Sequence, residues 1–249
     1  MTHPSRMDTP AALFWNDFKS NKIAMVALVF VVVMIALAVL APWITPQDPY
    51  ELSKLVLMDA RRPPGHVGAS GIVYWLGTDA QGRDILSAIL YGLRVSIQIS
   101  LTAGVIAFSI GATLGAVAAY FGGRVETLIM RMIDLQLSFP AILLALVLAA
   151  LLGQGKWPLV TALVTAQYAY FARTTHGAAA TERTKDYIEA ALSTPLPASR
   201  VVFRHILPNC LPPLIVVGTV QMANTIALEA TLSFLGLGLP VTQPSLGML

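Results

Sequence analysis

The run from Ile23 to Ile44 carries no charged side chain and, wound as a helix, is about 33 Å long. A hydrocarbon core about 30 Å thick leaves no water to satisfy an exposed backbone, so a segment of this kind must cross as a helix. Four further apolar runs follow: about Val95–Tyr120, Met132–Leu152, Pro158–Ala172 and Leu211–Leu235. With 56% hydrophobic and only 12% charged residues, the chain lies well outside the range of soluble domains, where roughly a quarter of residues are charged. The expected fold class is therefore an all-α membrane protein, a polytopic helical bundle. The first run is too long for the core of a signal peptide, and Ala41-Pro-Trp43 is a poor cleavage site, so it reads as a retained anchor.

The net charge of +3 could point to nucleic acid, but no basic face interleaved with aromatics is present, and no nucleic-acid partner is expected. Lys and Arg instead flank the apolar runs, as the positive-inside rule requires. With the N-terminus in the cytoplasm, Lys19, Lys22, Arg124, Arg131, Arg173, Arg183, Lys185, Arg200 and Arg204 are cytoplasmic. Segment 1–22 is then a cytoplasmic lead-in, with Leu13, Phe14, Trp15 and Phe18 at the spacing of an interfacial helix. Cys210 is the sole cysteine, so no internal disulfide can form.

Individual runs carry further expectations. Gly111 and Gly115 are spaced as GxxxG and favour a close helix crossing within the chain. Arg131 and Asp134 stand at i, i+3 and are expected to pair. Pro140 should bend the third run, leaving neighbouring helices to satisfy the freed carbonyl. The fourth run is partly polar, through Thr161, Thr165, Gln167 and Tyr168, which suits a helix packed inside a bundle. In the fifth run Glu229 stands at a depth where an acid is costly, and it either makes a polar contact facing a wet cavity or fixes helix packing.

The segment 173–209 is a polar island between the fourth and fifth runs. Asp186 to Ser193 has good helix formers and an acid near its N-terminus. Thr194 and Leu196 each precede a proline, and a residue before proline avoids the α region. The helix should break there, resume over Ala198–Ile206 and turn at Pro208. A short exposed helix of this kind suits a groove on a cytoplasmic partner.

The order of residues in the island, Asp186-Tyr-Ile-Glu-Ala-Ala and then His205-Ile-Leu-Pro-Asn209, resembles the EAA loop of ABC-importer permease subunits. Other segments agree in order and spacing. Phe14-Trp-Asn-Asp-Phe-Lys-Ser-Asn-Lys22, Gly77-Thr-Asp-Ala-Gln-Gly-Arg-Asp84 with Tyr91-Gly92, Arg94 and Ser96, and Ala230-Thr-Leu-Ser-Phe-Leu-Gly-Leu-Gly-Leu-Pro240 resemble the peptide and nickel branch, C-type subunit. The resemblance implies a type I importer permease domain over 23–249, with an external loop at 45–94 and the cytoplasmic EAA loop at 173–209. A sixth span is expected to be missing after Leu249. It further implies a bacterial inner membrane location and three kinds of partner: ABC ATPase subunits, a second permease subunit and an extracytoplasmic substrate-binding protein.

Carried over residue by residue, the resemblance assigns ATPase coupling to Asp186, Tyr187, Glu189, Ala190, Ala191, Pro195, Arg204, His205, Leu207 and Pro208. Pro195 stands where the family usually has Gly, so the bend there is made differently. Gln221, Asn224 and Glu229 are candidates for the translocation path. Asp79, Arg83, Asp84 and Arg94 either meet the binding protein or pair with one another to fold the loop. No catalytic residue, cofactor or metal site is expected. The substrate implied is a di- or oligopeptide, with nickel or another small solute as the alternative. GxxxxGK[ST], HExxH and GxSxG do not occur, which argues against an ATPase or a membrane hydrolase. A single intramembrane acid and no internal repeat argue against an ion-coupled secondary transporter.

Overall fold

In a computed structural model, residues 10–51, 57–69, 71–188, 196–240, 242–243 and 245–248 are described. Helix α1 (Pro10–Ser20) leads into α2 (Lys22–Ile44), whose first turn is capped by the Asn21 carboxamide, accepting from the Ile23 and Ala24 N–H at 3.1 and 3.2 Å. Pro42 does not stop α2, which ends two residues later where the Thr45 hydroxyl and N–H both donate to the Ala41 carbonyl. Only Ala38 and Ala41 of α2 are buried, so the rest of its surface is left for lipid. A two-stranded hairpin, β1 (His66–Val67) and β2 (Val73–Tyr74), lies in the loop that follows, with His66 opposite Tyr74.

Helix α3 (Ile85–Phe121) is longer than the expected Val95–Tyr120 span. The amphipathic stretch before Val95 is continuous with it, giving 37 residues and about 55 Å of rise, well beyond the hydrocarbon thickness. Asp84 caps it, accepting from the Ser87 N–H at 2.7 Å.

The third run is two helices, α4 (Gly123–Leu137) and α5 (Ala141–Leu152), meeting at 88°. Pro140 sits outside both, at the start of α5. The carbonyls freed at the bend are satisfied locally rather than by neighbours. The Ser138 hydroxyl donates to the Asp134 carbonyl at 2.8 Å, and the Phe139 N–H donates to the Gln136 carbonyl at 3.1 Å.

Helix α6 (Lys156–Arg183) continues eleven residues past the expected end at Ala172, so the polar island begins with helix rather than loop. Its polar residues make it too hydrophilic to pass as a span by composition. The membrane tolerates it because α3, α4, α5 and α7 (Leu211–Phe234) surround it. Pro212 and Pro213 open α7, where missing N–H groups cost nothing.

Glycine sets the central crossing. A Cβ on Gly111 would stand 2.3 Å from the Tyr168 carbonyl oxygen, and one on Gly115 2.3 Å from that of Ala172. The GxxxG pair thus lets the α3 and α6 backbones touch inside one chain, in parallel. The core around this crossing contains Ile99, Leu159, Leu163, Phe171, Leu214 and Leu232. Both α2 and α7 run against α3. The loop after α2, the start of α3, the turn before α6 and the residues after α7 therefore share one end of the bundle. The segment between α6 and α7 lies at the other. Gly111→Ala and Gly115→Ala should each destabilise the detergent-solubilised protein by about 1–3 kcal/mol, the usual range for overpacking. Gly104→Ala, whose Cβ would meet nothing closer than 3.7 Å, should leave the thermal midpoint unchanged.

Candidate functional site

The segment between α6 and α7 is anchored at both ends. Residues 186–188 are helical, and Ile188 is fully buried in the main core. Tyr187 is exposed and its hydroxyl donates to the Glu182 carboxylate at 2.5 Å, beside the Lys185–Glu182 ion pair at 2.5 Å. Partial desolvation and this hydrogen bond push the Tyr187 hydroxyl up to about 12, so it remains a donor through the physiological range. Asp186 is exposed. Glu189, Ala190, Ala191 and Pro195, with the expected helix end and break, lie outside the described residues.

The second half of the island is a helical rod in three parts: Ala198–Arg200, a π-helical stretch Val201–Ile206, and Leu207–Asn209. The wide turn has a local cause. Pro208 has no N–H, and its ring would collide with the Arg204 carbonyl in an α-helix. The turn before it opens instead, and the Leu207 N–H donates to the Val202 carbonyl, five residues back. Val201, Val202 and Ile206 are buried, while Phe203, Arg204 and Pro208 are exposed. His205 and Leu207 are half-buried, so His205 stands at the edge of the buried side rather than within it. One side of the rod is wedged among α3 and α6, and the other is open to a partner.

The polar side chains of α7 are split. Gln221 donates from Nε2 to Gln167 Oε1 at 2.9 Å, and Asn224 donates from Nδ2 to Gln221 Oε1 at 2.7 Å. This amide chain crosses from α6 to α7. It ends at Asn224, beside a cavity of about 270 Å³ that Gln167, Tyr170 and Thr231 also line. Gln167 was legible as an odd polar residue in the fourth run, but nothing in the sequence joined it to Gln221. Glu229 is fully buried; Ser233 donates to its Oε1 at 2.8 Å, while Oε2 has no hydrogen-bond partner among the described residues.

The expected Arg131–Asp134 pair does not form. Asp134 pairs with Arg173 of α6, and Glu126 of the same helix meets His176 Nε2 at 2.7 Å. Helix α4 lies across α6, so its acids face α6 cations, and Arg131 points away, exposed. At the other end of the bundle Asp79 accepts from Arg83 Nε at 2.7 Å, and Asp84 is spent on the α3 cap. Arg94 joins neither; it lies inside α3 and lines a separate cavity.

Residues 111–249 match the family described as binding-protein-dependent transport system inner membrane component. The chain belongs to that family. Residues 9–64 of this inner membrane component also match the N-terminal TM domain of oligopeptide transport permease C. The chain is 36% identical over 239 residues to the dipeptide transport system permease protein DppC of Haemophilus influenzae, covering 96% of this chain and 80% of that one. It is 36% identical to the di/tripeptide transport system permease protein DppC of Pseudomonas aeruginosa (96% and 78% covered). It is 38% identical to the dipeptide transport system permease protein DppC of Escherichia coli K12 (96% and 79%).

Both partners of the Arg173–Asp134 pair are about half exposed, at 56% and 48%. Exposed pairs contribute little. Arg173→Ala and Asp134→Ala should each cost no more than about 1 kcal/mol in thermal unfolding, with the double variant no worse than either single.

Proposed function

We propose that this chain is a permease subunit of an ATP-driven importer of di- or oligopeptides. It pairs with a second permease subunit, receives substrate from an extracytoplasmic binding protein and is driven by separate ATPase chains. The N-terminus and the α6–α7 segment face the cytoplasm, and the loop after α2 faces outward. This orientation is supported by Lys19, Lys22, Arg183, Lys185, Arg200 and Arg204 gathering at one end of the bundle. The peptide assignment is supported by the names of the relatives that span nearly the whole chain.

One observation carries the mechanism. The segment is free on one side and built into the core on the other. Ile188, Val201 and Ile206 belong to the same packed cluster as Leu163 and Leu214. A partner that moves the exposed side therefore moves α6 and α7 together, because a close-packed interior transmits displacement rather than absorbing it. Arg204 and Tyr187 supply charge and a phenol on the exposed face. Glu189, at the position the EAA pattern marks, supplies the acid. The path runs past the cavity at Asn224, the end of the amide chain that Gln167 and Gln221 hold in place. Glu229 serves helix packing rather than the path, since it is fully buried.

In proteoliposomes holding permeases, ATPases and binding protein, Glu189→Lys should cut peptide uptake and peptide-stimulated ATP hydrolysis at least about tenfold, equivalent to about 1.4 kcal/mol of lost coupling. Arg204→Glu should act in the same direction. Uptake and stimulation at wild-type levels in both variants would show that the ATPases grip elsewhere.

A further inference from the structure

At the end of the bundle opposite the coupling segment lies a cavity of about 590 Å³, within the roughly 300–1,000 Å³ range of small-molecule sites. It is framed by the start of α3, the start of α6 and Leu239, Thr242 and Gln243 after α7. Tyr50, Arg94, Gln98, Lys156 and Gln243 supply its polar lining, and among the described residues no carboxylate lines it. Neither Arg94 nor Lys156 has an ion-pair partner among the described residues.

Two more observations point to an anion. Helix α6 begins at Lys156 with Gly155 as its cap and no side chain bonded to its first N–H groups, so its positive end is open beside the cavity. The Tyr50 hydroxyl is buried without a hydrogen-bond partner among the described residues. Burial, and next the nearby Asp48, push it up to about 12, which keeps it protonated and able to donate. The Asp48 carboxylate, which bears on Tyr50, accepts from the Tyr50 N–H at 2.9 Å.

We propose that this cavity receives the C-terminal carboxylate of an incoming peptide, held by Arg94 and Lys156 with the unpartnered Tyr50 phenol in the wall behind them. The Arg94 guanidinium offers the planar fork that matches a carboxylate, and Lys156 adds a mobile charge at the rim. Gln98 and Gln243, each with a donor and an acceptor, suit the adjacent peptide bond. A carboxylate delivered here would lie between α3 and α6, the two helices in closest contact, at the mouth rather than the middle of the bundle. The proposal rests on the peptide reading above and adds a subsite to it.

The test uses the importer with its partner permease and ATPases in proteoliposomes, carrying Gln243→Cys as reporter. Buried Cys210 is the native thiol and serves as the unreactive control. A membrane-impermeant maleimide added outside should label the reporter. Saturating dialanine should slow labelling about fivefold or more, as occupancy of a single site requires, whereas dialanine amide should not. Arg94→Gln with Lys156→Gln should abolish the protection. Thr242→Cys is the second reporter should the first fail to assemble. Equal protection by acid and amide, protection that survives the double substitution, no protection, or a reporter never reached from outside would each overturn the site. Uptake of dialanine in the same vesicles, supplied with binding protein, tests the peptide reading separately. Uptake without carboxylate-dependent protection removes only the subsite, while absence of uptake removes the substrate assignment.

Discussion

The contact between the α3 and α6 backbones at Gly111 and Gly115 is the constraint on which the bundle depends. In lipid no hydrophobic force draws two helices together, since the surrounding chains are as apolar as leucine. What remains is close packing, and a Cβ at either glycine would collide with a carbonyl oxygen of α6. Because α3 and α6 run parallel, one crossing fixes both ends. It sets the start of α6 beside Arg94 and the end of α6 beside Ala119, whose carbonyl accepts from Arg183 Nη1 at 3.0 Å. The remaining helices pack around this pair.

Polarity along α6 follows from that position. A helix bearing Thr161, Thr165, Gln167, Arg173 and His176 would be costly in lipid unless each found a partner. Gln167 is buried among neighbours, while Thr161 and Arg173 stay exposed, and each of the five is bonded. Thr161 and Thr165 bond back one turn, Gln167 meets Gln221, Arg173 meets Asp134 and His176 meets Glu126. The ionic contacts to α4 cluster toward the end of α6 that leads into the segment before α7. They strap the amphipathic α4 across it while leaving Val125, Leu128, Met132 and Leu135 of α4 exposed.

Much of this was legible in the sequence. The apolar length of α2 and α7, the GxxxG crossing and the rod after Pro197 follow from periodicity, small-residue spacing and proline placement. The boundaries of α3 and α6 did not, because each helix projects beyond the apolar run that marks it. The start of α3, with Ile85, Leu86, Ile89 and Leu90 on one helical side, was legible as an amphipathic stretch but not as part of the span, and the polar end of α6 looks like loop when hydropathy alone is read. Asp134 misled for a related reason. Arg131 lies within reach along one helix, but the 88° break turns α4 across α6 and brings Arg173 closer. Chain-local spacing cannot foresee a partner thirty-nine residues away. The Gln167–Gln221 contact and the cationic lining of the cavity beside Arg94 are likewise products of helix order, assembled from residues that carry no shared motif.

The wide turn over Val201–Ile206 has a mechanical consequence. A π-helical turn holds one residue more than an α-helical one, and that residue is slack wound into the rod. Pro208 keeps it there, since an α-helical turn would bring its ring against the Arg204 carbonyl, so the angular offset it introduces, one helical step of about 100°, is fixed. With Val201 and Val202 buried in the bundle and Arg204 exposed, that offset sets which side of the rod lies open ahead of α7.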